Sequence, residues 1–285
     1  ISMSSSGDDV LVGGYVNNTH LYSWASSAWS DAGVSIGGSG DCDVALSGNG
    51  LVMAIAYADA TGYFYYLRWV YGGNLDPQSG LQSAGGYQAA CTAATNNDGR
   101  VLAFGYCTRG TGGQIVGVQR ATSSGSGGFT HSYAVTYITI SDALVTGPFT
   151  VAVSTGSTVN DIYVAVGAPT AHGGQGAAFV FHANDGVSFV QLGNEGTDTV
   201  MDIVAQREIG ASDAFGTSVS LVGDANSMTL AVGSPGAEDT SATVVGRVDL
   251  FHVSGSNAII TTKYGDAAGD KFGTSVALSE DDDQN

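Results

Sequence analysis

One segment of this chain occurs twice almost unchanged. Phe215-Gly-Thr-Ser-Val-Ser-Leu-Val-Gly-Asp224 and Phe272-Gly-Thr-Ser-Val-Ala-Leu-Ser-Glu-Asp281 begin 57 residues apart. The first copy is followed by Thr229-Leu-Ala-Val-Gly-Ser-Pro235 and then Gly246-Arg-Val-Asp-Leu-Phe-His252. An earlier copy runs Phe149-Thr-Val-Ala-Val-Ser154, Tyr163-Val-Ala-Val-Gly-Ala-Pro169 and Gly176-Ala-Ala-Phe-Val-Phe-His182, starting 66 residues before Phe215. Spacings of this size hold four short strands and their loops, which is the size of a propeller blade. Fainter copies reach back to the start, at Ile1–Gly14, Val44–Ala56 with Gly62–Leu67, and Ala93–Gly105 with Gly113–Val118.

The local chemistry agrees with strands. Val219 and Leu221 alternate with Ser218 and Ser220, the period of two that puts alternate side chains on opposite faces. Gly-, Asn- and Asp-rich turns separate the first and second strands, where left-handed backbone is easily reached. Pro169 and Pro235 end strands because proline cannot donate to a ladder. The 285 residues carry 43 Gly and only 4 Pro, and 12% are charged, as many short strands and tight turns require. These features predict an all-β fold: one β-propeller domain over 1–285 with four-stranded blades at about 1–39, 40–86, 87–148, 149–214 and 215–271. A sixth first strand is expected at 272–279.

The Phe-Gly opening, the Leu-Ala-Val-Gly-Ala/Ser-Pro core and the Gly-x-Val-x-Leu/Val-Phe third strand resemble the FG-GAP repeats of integrin α-subunit heads and of many microbial and protist surface proteins. The match is specific across 149–279 and degenerate across 1–148. The resemblance implies a propeller of roughly seven blades, placement outside the cell, and work in adhesion or assembly. It also implies Ca²⁺ in the loop between first and second strands, where oxygen ligands converge from alternate positions around a glycine. The matching loops are 223–227 with Asp224 and Asn226, 96–99, 47–50, and 280–283 with Asp281 and Asp283. Each of the first three offers at most two plausible ligands, so turn chemistry accounts for them without metal and Ca²⁺ is weakly supported; no other cofactor is expected.

The formal net charge of −18 disfavours nucleic acid and anionic membrane as partners and keeps the chain soluble in salt. Cys42, Cys91 and Cys107 are an odd set for a secreted chain. Cys91 and Cys107 flank one expected hairpin and are the pair expected to bridge. No C-x-x-C and no run of about eighteen apolar residues is present, which gives no support to zinc, thioredoxin chemistry or a helical membrane span. The start on Ile1 and the broken repeat register suggest a mature or excised segment, or a spare strand 272–279 that completes a neighbouring unit.

Gly33-Val-Ser-Ile-Gly37 spells a nucleophile elbow but runs into Gly38-Ser-Gly40, a loop, rather than a helix. His182 and His252 fall at matched repeat positions, as structural residues do. The carboxylate pairs Asp8/Asp9 and Asp41/Asp43 are sequence neighbours that flank strands or turns. The stretch 63–71 is rich in aromatics, and alternation puts Tyr63, Tyr65 and Trp69 on one face. That arrangement suits an outer blade strand or a stacking platform for sugars or a partner. Asn17 begins an acceptor sequence for N-linked sugar, and 121–130 and 154–158 read as loops. The expected function is an extracellular structural and adhesion module that assembles with other protein subunits, itself included, at a cell surface or in a filament. A carbohydrate-binding propeller is the alternative, and a polysaccharide-acting enzyme comes last.

Overall fold

In a computed structural model the chain is built from antiparallel sheets. The structure describes residues 1–13, 19–31, 42–59, 62–71, 74–76, 82–83, 92–107, 114–124, 128–140, 149–156, 158–192, 210, 212–223, 228–253 and 258–279. The chain divides into two compact units, Ile1–Ile140 and Ser141–Asn285.

The first unit holds three sheets. One is β1 (Ser2–Met3), β2 (Asp9–Val12), β3 (His20–Ala25) and β4 (Ala28–Asp31), in that order. The next is β5 (Cys42–Leu46), β6 (Val52–Asp59), β7 (Gly62–Tyr71) and β8 (Asn74–Asp76), with β9 (Gln82–Ser83) also on β7. The third is β10 (Thr92–Thr95), β11 (Val101–Cys107), β12 (Gln114–Ser124) and β13 (Gly128–Ile140). The second unit holds β14 (Thr150–Thr155), β15 (Ile162–Ala168), β16 (Ala177–Ala183) and β17 (Val190–Gln191), then β18 (Ser218–Val222), β19 (Thr229–Ser234), β20 (Arg247–His252) and β21 (Ala258–Tyr264). Each sheet is an up-and-down meander in sequence order, the four-stranded blade that the repeat predicts. The second strands of the last two sheets are buried on both faces: β15 at every position and β19 at all but its first.

Within the first unit the turn after each first strand is the same structure. The N–H of Ser4, Ser47 and Asn96 donates to the carbonyl of Asp9, Val52 and Val101, and the returning N–H of those partners donates to the Ser Oγ or Asn Oδ1 at 2.9–3.0 Å. Gly7, Gly50 and Gly99 complete the turns at φ of 76°, 69° and 75°. A side-chain acceptor followed by a left-handed glycine is all that this turn needs, so Ser and Asn interchange. Adjacent turns also bond to one another: Ser5 N–H donates to Gly48 O at 2.8 Å, and Asn49 N–H to Asn97 O at 3.1 Å.

Small polar residues on the first strands tie neighbouring sheets together. Leu46 N–H donates to Ser2 Oγ, while Thr92 Oγ1 and Ala93 N–H both donate to Asp43 Oδ2 at 2.9 and 3.0 Å. In the second unit Thr150 Oγ1 donates to Gly216 O and Ser154 Oγ to Gly223 O. First strands are crowded, and a Ser or Thr there satisfies a backbone group that the close approach would leave bare. Between the last two sheets Tyr163, Ala165, Ala178 and Val180 pack against Phe215, Leu221, Met228, Leu230, Val232 and Phe251.

The segment 272–279 corrects one expectation: it forms no strand. It nonetheless sits where a first strand sits. Ser218 Oγ donates to Gly273 O at 2.9 Å and Leu278 N–H to Ser220 Oγ at 2.9 Å, the same kind of link that joins β14 to β18. A ladder needs a hydrogen-bonded partner strand, and among the described residues no strand pairs with 272–279.

Candidate docking and binding surfaces

Two surfaces stand out, one in each unit. The first is the Phe-Gly seat. Phe215 N–H donates to Gln175 O at 2.9 Å, and Phe215 bridges Gly176. Thr217 then closes a tight turn with its N–H and Oγ1 on Ala214 O. Phe272 repeats every part: its N–H donates to Val245 O at 3.0 Å, it bridges Gly246, and Thr274 bonds Lys271 O twice. Gly216 and Gly273 both stand at φ 88°, and Gly176 and Gly246 at 89° and 83°, where a Cβ would strike backbone. The glycines of the motif are therefore there for close approach as well as for turning.

The two phenylalanines differ in what covers them. Phe215 is 1% exposed and meets Phe251 edge to face, with ring centroids 6.1 Å apart. Phe272 is 42% exposed, and Val244 and Tyr264 are also exposed. Gly265 lies against its Cβ, which places the start of the loop after β21 beside it. Burying a phenylalanine fully stabilises by about 1.5–3 kcal/mol relative to leaving it in water. The anchor is formed at Phe272 while that gain is largely unrealised.

The second surface is the β3–β4 hairpin, which sequence reading passed over. Trp24 and Trp29 face each other across it, 44% and 49% exposed, with centroids 5.4 Å apart at 60°. Ser26 and Ser27 make the two-residue turn at φ 54° and 64°, the handedness that fits strand twist. That turn ordinarily announces itself as Asn-Gly, so Ser-Ser hides the hairpin. Along β3, His20 and Tyr22 share a face with Trp24 and stack at 5.9 Å and 23°. Asp31 lies opposite Tyr22 and its Oδ2 is 2.8 Å from His20 Nδ1.

The other sequence candidates divide into two groups. Asp43 and Asp9 serve strand-to-strand bonds, Asp9 Oδ1 accepting from Ser23 Oγ at 2.6 Å. His182 stacks on Tyr163 at 4.2 Å and its Nε2 is 2.6 Å from Asp161 Oδ1, a half-buried structural pair. In the loops 47–50 and 96–99 the oxygens close turns: Asn49 Oδ1 accepts from Ser47 Oγ and Leu51 N–H, and Asp98 Oδ1 from Asn96 Nδ2 and Arg100 N–H. Tyr63, Tyr65 and Trp69 lie on β7, the third strand of its sheet rather than the outermost, and their side chains are outside the described residues. Asp224, Asn226, Asp281, Asp283, Asn17, Cys91, Asp41 and the segment 33–37 are also outside them, and of Cys107 only the backbone, at the end of β11, is described. Among the described residues no group of three or more His, Cys, Asp or Glu is placed to hold a metal ion, and no helix is long and apolar enough to cross a membrane.

No protein-family model matches the chain, and no curated protein matches it. Solved structures do. The lectin of Aleuria aurantia in complex with α-methyl-L-fucoside superposes with a TM-score of 0.51 at 13% identity, over 92% of this chain and 75% of that one. A Dos1 propeller gives 0.47 at 13% identity over 92% and 59%. TolB from Acinetobacter baumannii gives 0.46 at 11% identity over 89% of this chain, which spans 51% of the TolB chain. With the four-stranded antiparallel meanders, the likeness to the lectin makes the fold a β-propeller of four-stranded blades.

Proposed function

We propose that this chain is a non-catalytic propeller module of the FG-GAP type that works outside the cell by assembling with other blade-bearing protein subunits. The observation that carries this is the contrast between Phe215 and Phe272, which hold the same anchor bonds at 1% and 42% exposure. Phe215 is covered by the blade that follows it. Phe272 presents the same seat to any further blade, and a blade borne by another subunit would bring the counterpart of Phe251 on its third strand. The motifs quoted across 149–279 support the FG-GAP assignment, and the acidic balance suits a module in a salty exterior.

Light scattering on the purified chain tests it. Assembly through this seat predicts particles larger than the 28.7 kDa monomer at tens of micromolar. Phe272→Asp should return them to monomer, since a carboxylate in that seat would be buried unpaired. A single monomer mass at every concentration in both proteins would end the reading.

A further inference from the structure

We propose that the aromatic face of the β3–β4 hairpin is a binding site for the sugar rings of uncharged glycans. Trp24 and Trp29 present flat apolar area at the hairpin tip, and Tyr22 and His20 continue the row along β3. Positions 20 to 24 span roughly 13 Å of strand, enough for more than one linked ring. Pyranose rings have C–H faces that stack on indole and phenol, and hydroxyls at their edges. The row supplies both partners, because His20 and Asp31 sit 2.8 Å apart beside Tyr22 and place a carboxylate and an imidazole where edge hydroxyls would fall. Tyr and Trp have an apolar body and a polar tip, as such ligands require.

The size and charge of the surface favour a sugar over the alternatives. Two half-exposed indoles offer on the order of 200 Å², far below the roughly 800 Å² per partner of a stable protein interface. A glycan ring needs no more than this. Asp31 and Asp8 lie on or beside the face, and the chain carries −18 overall, so uronic-acid or sulfated chains would be repelled. The site lies in the first unit and is independent of the Phe272 seat, so either reading can fail alone.

The test is tryptophan fluorescence and calorimetric titration with cello-, malto-, manno- and galacto-oligosaccharides, after a glycan array to choose among neutral chains, with oligogalacturonate as the acidic comparison. At least one neutral chain should bind, with no binding of the acidic one. Trp24→Ala and Tyr22→Ala should weaken it at least tenfold. Because loss of an indole also removes packing within the hairpin, Asp31→Asn is the second variant, expected to weaken binding at least threefold with an unchanged circular dichroism spectrum. No neutral binder on the array, preference for the acidic chain, or unchanged affinity in all three variants would overturn the proposal.

Discussion

Arg247 Nε donates to Asp249 Oδ2 at 2.8 Å inside the last sheet, where the matching positions of the preceding sheet hold Ala177 and Phe179. Both charged residues are buried, Thr262 Oγ1 donates to Asp249 Oδ1 at 2.6 Å, and Arg247 Nη1 lies 3.4 Å from Asp213 Oδ2. A buried ion pair is costly to desolvate and costlier to break. The two sheets thus solve the same packing position in different ways.

Removing one partner leaves the other charged in a dry interior. Arg247→Ala should lower the unfolding free energy by about 3–5 kcal/mol in urea denaturation. The double change Arg247→Ala with Asp249→Phe installs the combination of the preceding sheet and should recover more than half of that loss. Equal damage from the single and double variants would show that the pair does more than fill space.

Glycines with left-handed backbone separate into two kinds. Gly176→Ala puts a Cβ against the backbone of Phe215 and should cost about 1–3 kcal/mol or more. Gly7→Ala, at φ 76° with nothing within 4 Å, should cost only the conformational term of about 1–2 kcal/mol. Thermal melts of both variants give the ranking, and the reverse order would mean that the Phe-Gly seat yields to fit a methyl group.

The shared turn makes a substitution test. Ser47→Ala strands the buried N–H of Val52 and should destabilise by about 1–3 kcal/mol. Ser47→Asn copies Asn96 and should be nearly neutral. Chemical denaturation of the two variants distinguishes them.

Asp185 accepts hydrogen bonds from Ser188 Oγ at 2.5 Å, Ser188 N–H at 2.7 Å and Val187 N–H at 2.9 Å. These bonds, the Ser188 hydroxyl foremost, lower its pKa from 3.8 to about 2. A depressed carboxylate stabilises the fold above its ordinary pKa, and that contribution fades as pH falls from about 3.8 to about 2. Carboxyl NMR titration should place the midpoint near 2, and Ser188→Ala should move it up toward 3.8. An unmoved midpoint would assign the depression to the backbone donors instead.

The blade plan was legible because its needs are local. Phe-Gly-Thr closes a turn on its own neighbours, and Ser or Asn followed three residues later by Gly marks where the first strand reverses. Features that depend on partners far apart in sequence were not legible. Nothing near Trp24 announces Trp29, since the Ser26-Ser27 turn lacks the usual signal. Nothing local to Arg247 and Asp249 marks them as a buried pair, because Thr262 and Asp213 reach them from elsewhere in the sequence. The segment 272–279 has a strand's composition and a strand's seat, but a strand also requires a partner.

The anchors of the second unit all point one way along the chain. Ala214 and Phe215 hang from Gly174 and Gln175, and Phe272 hangs from Val245, so each blade is fastened by residues synthesised before it. A ribosome releasing this chain from its N-terminus would always present a finished seat to the blade that emerges next. Cutting after β17 would leave the earlier blade with its own ladder bonds, whereas deleting that blade would leave Phe215 with nothing to hang from. Each blade of this unit is therefore positioned by the one made before it, while the core between them is shared by both.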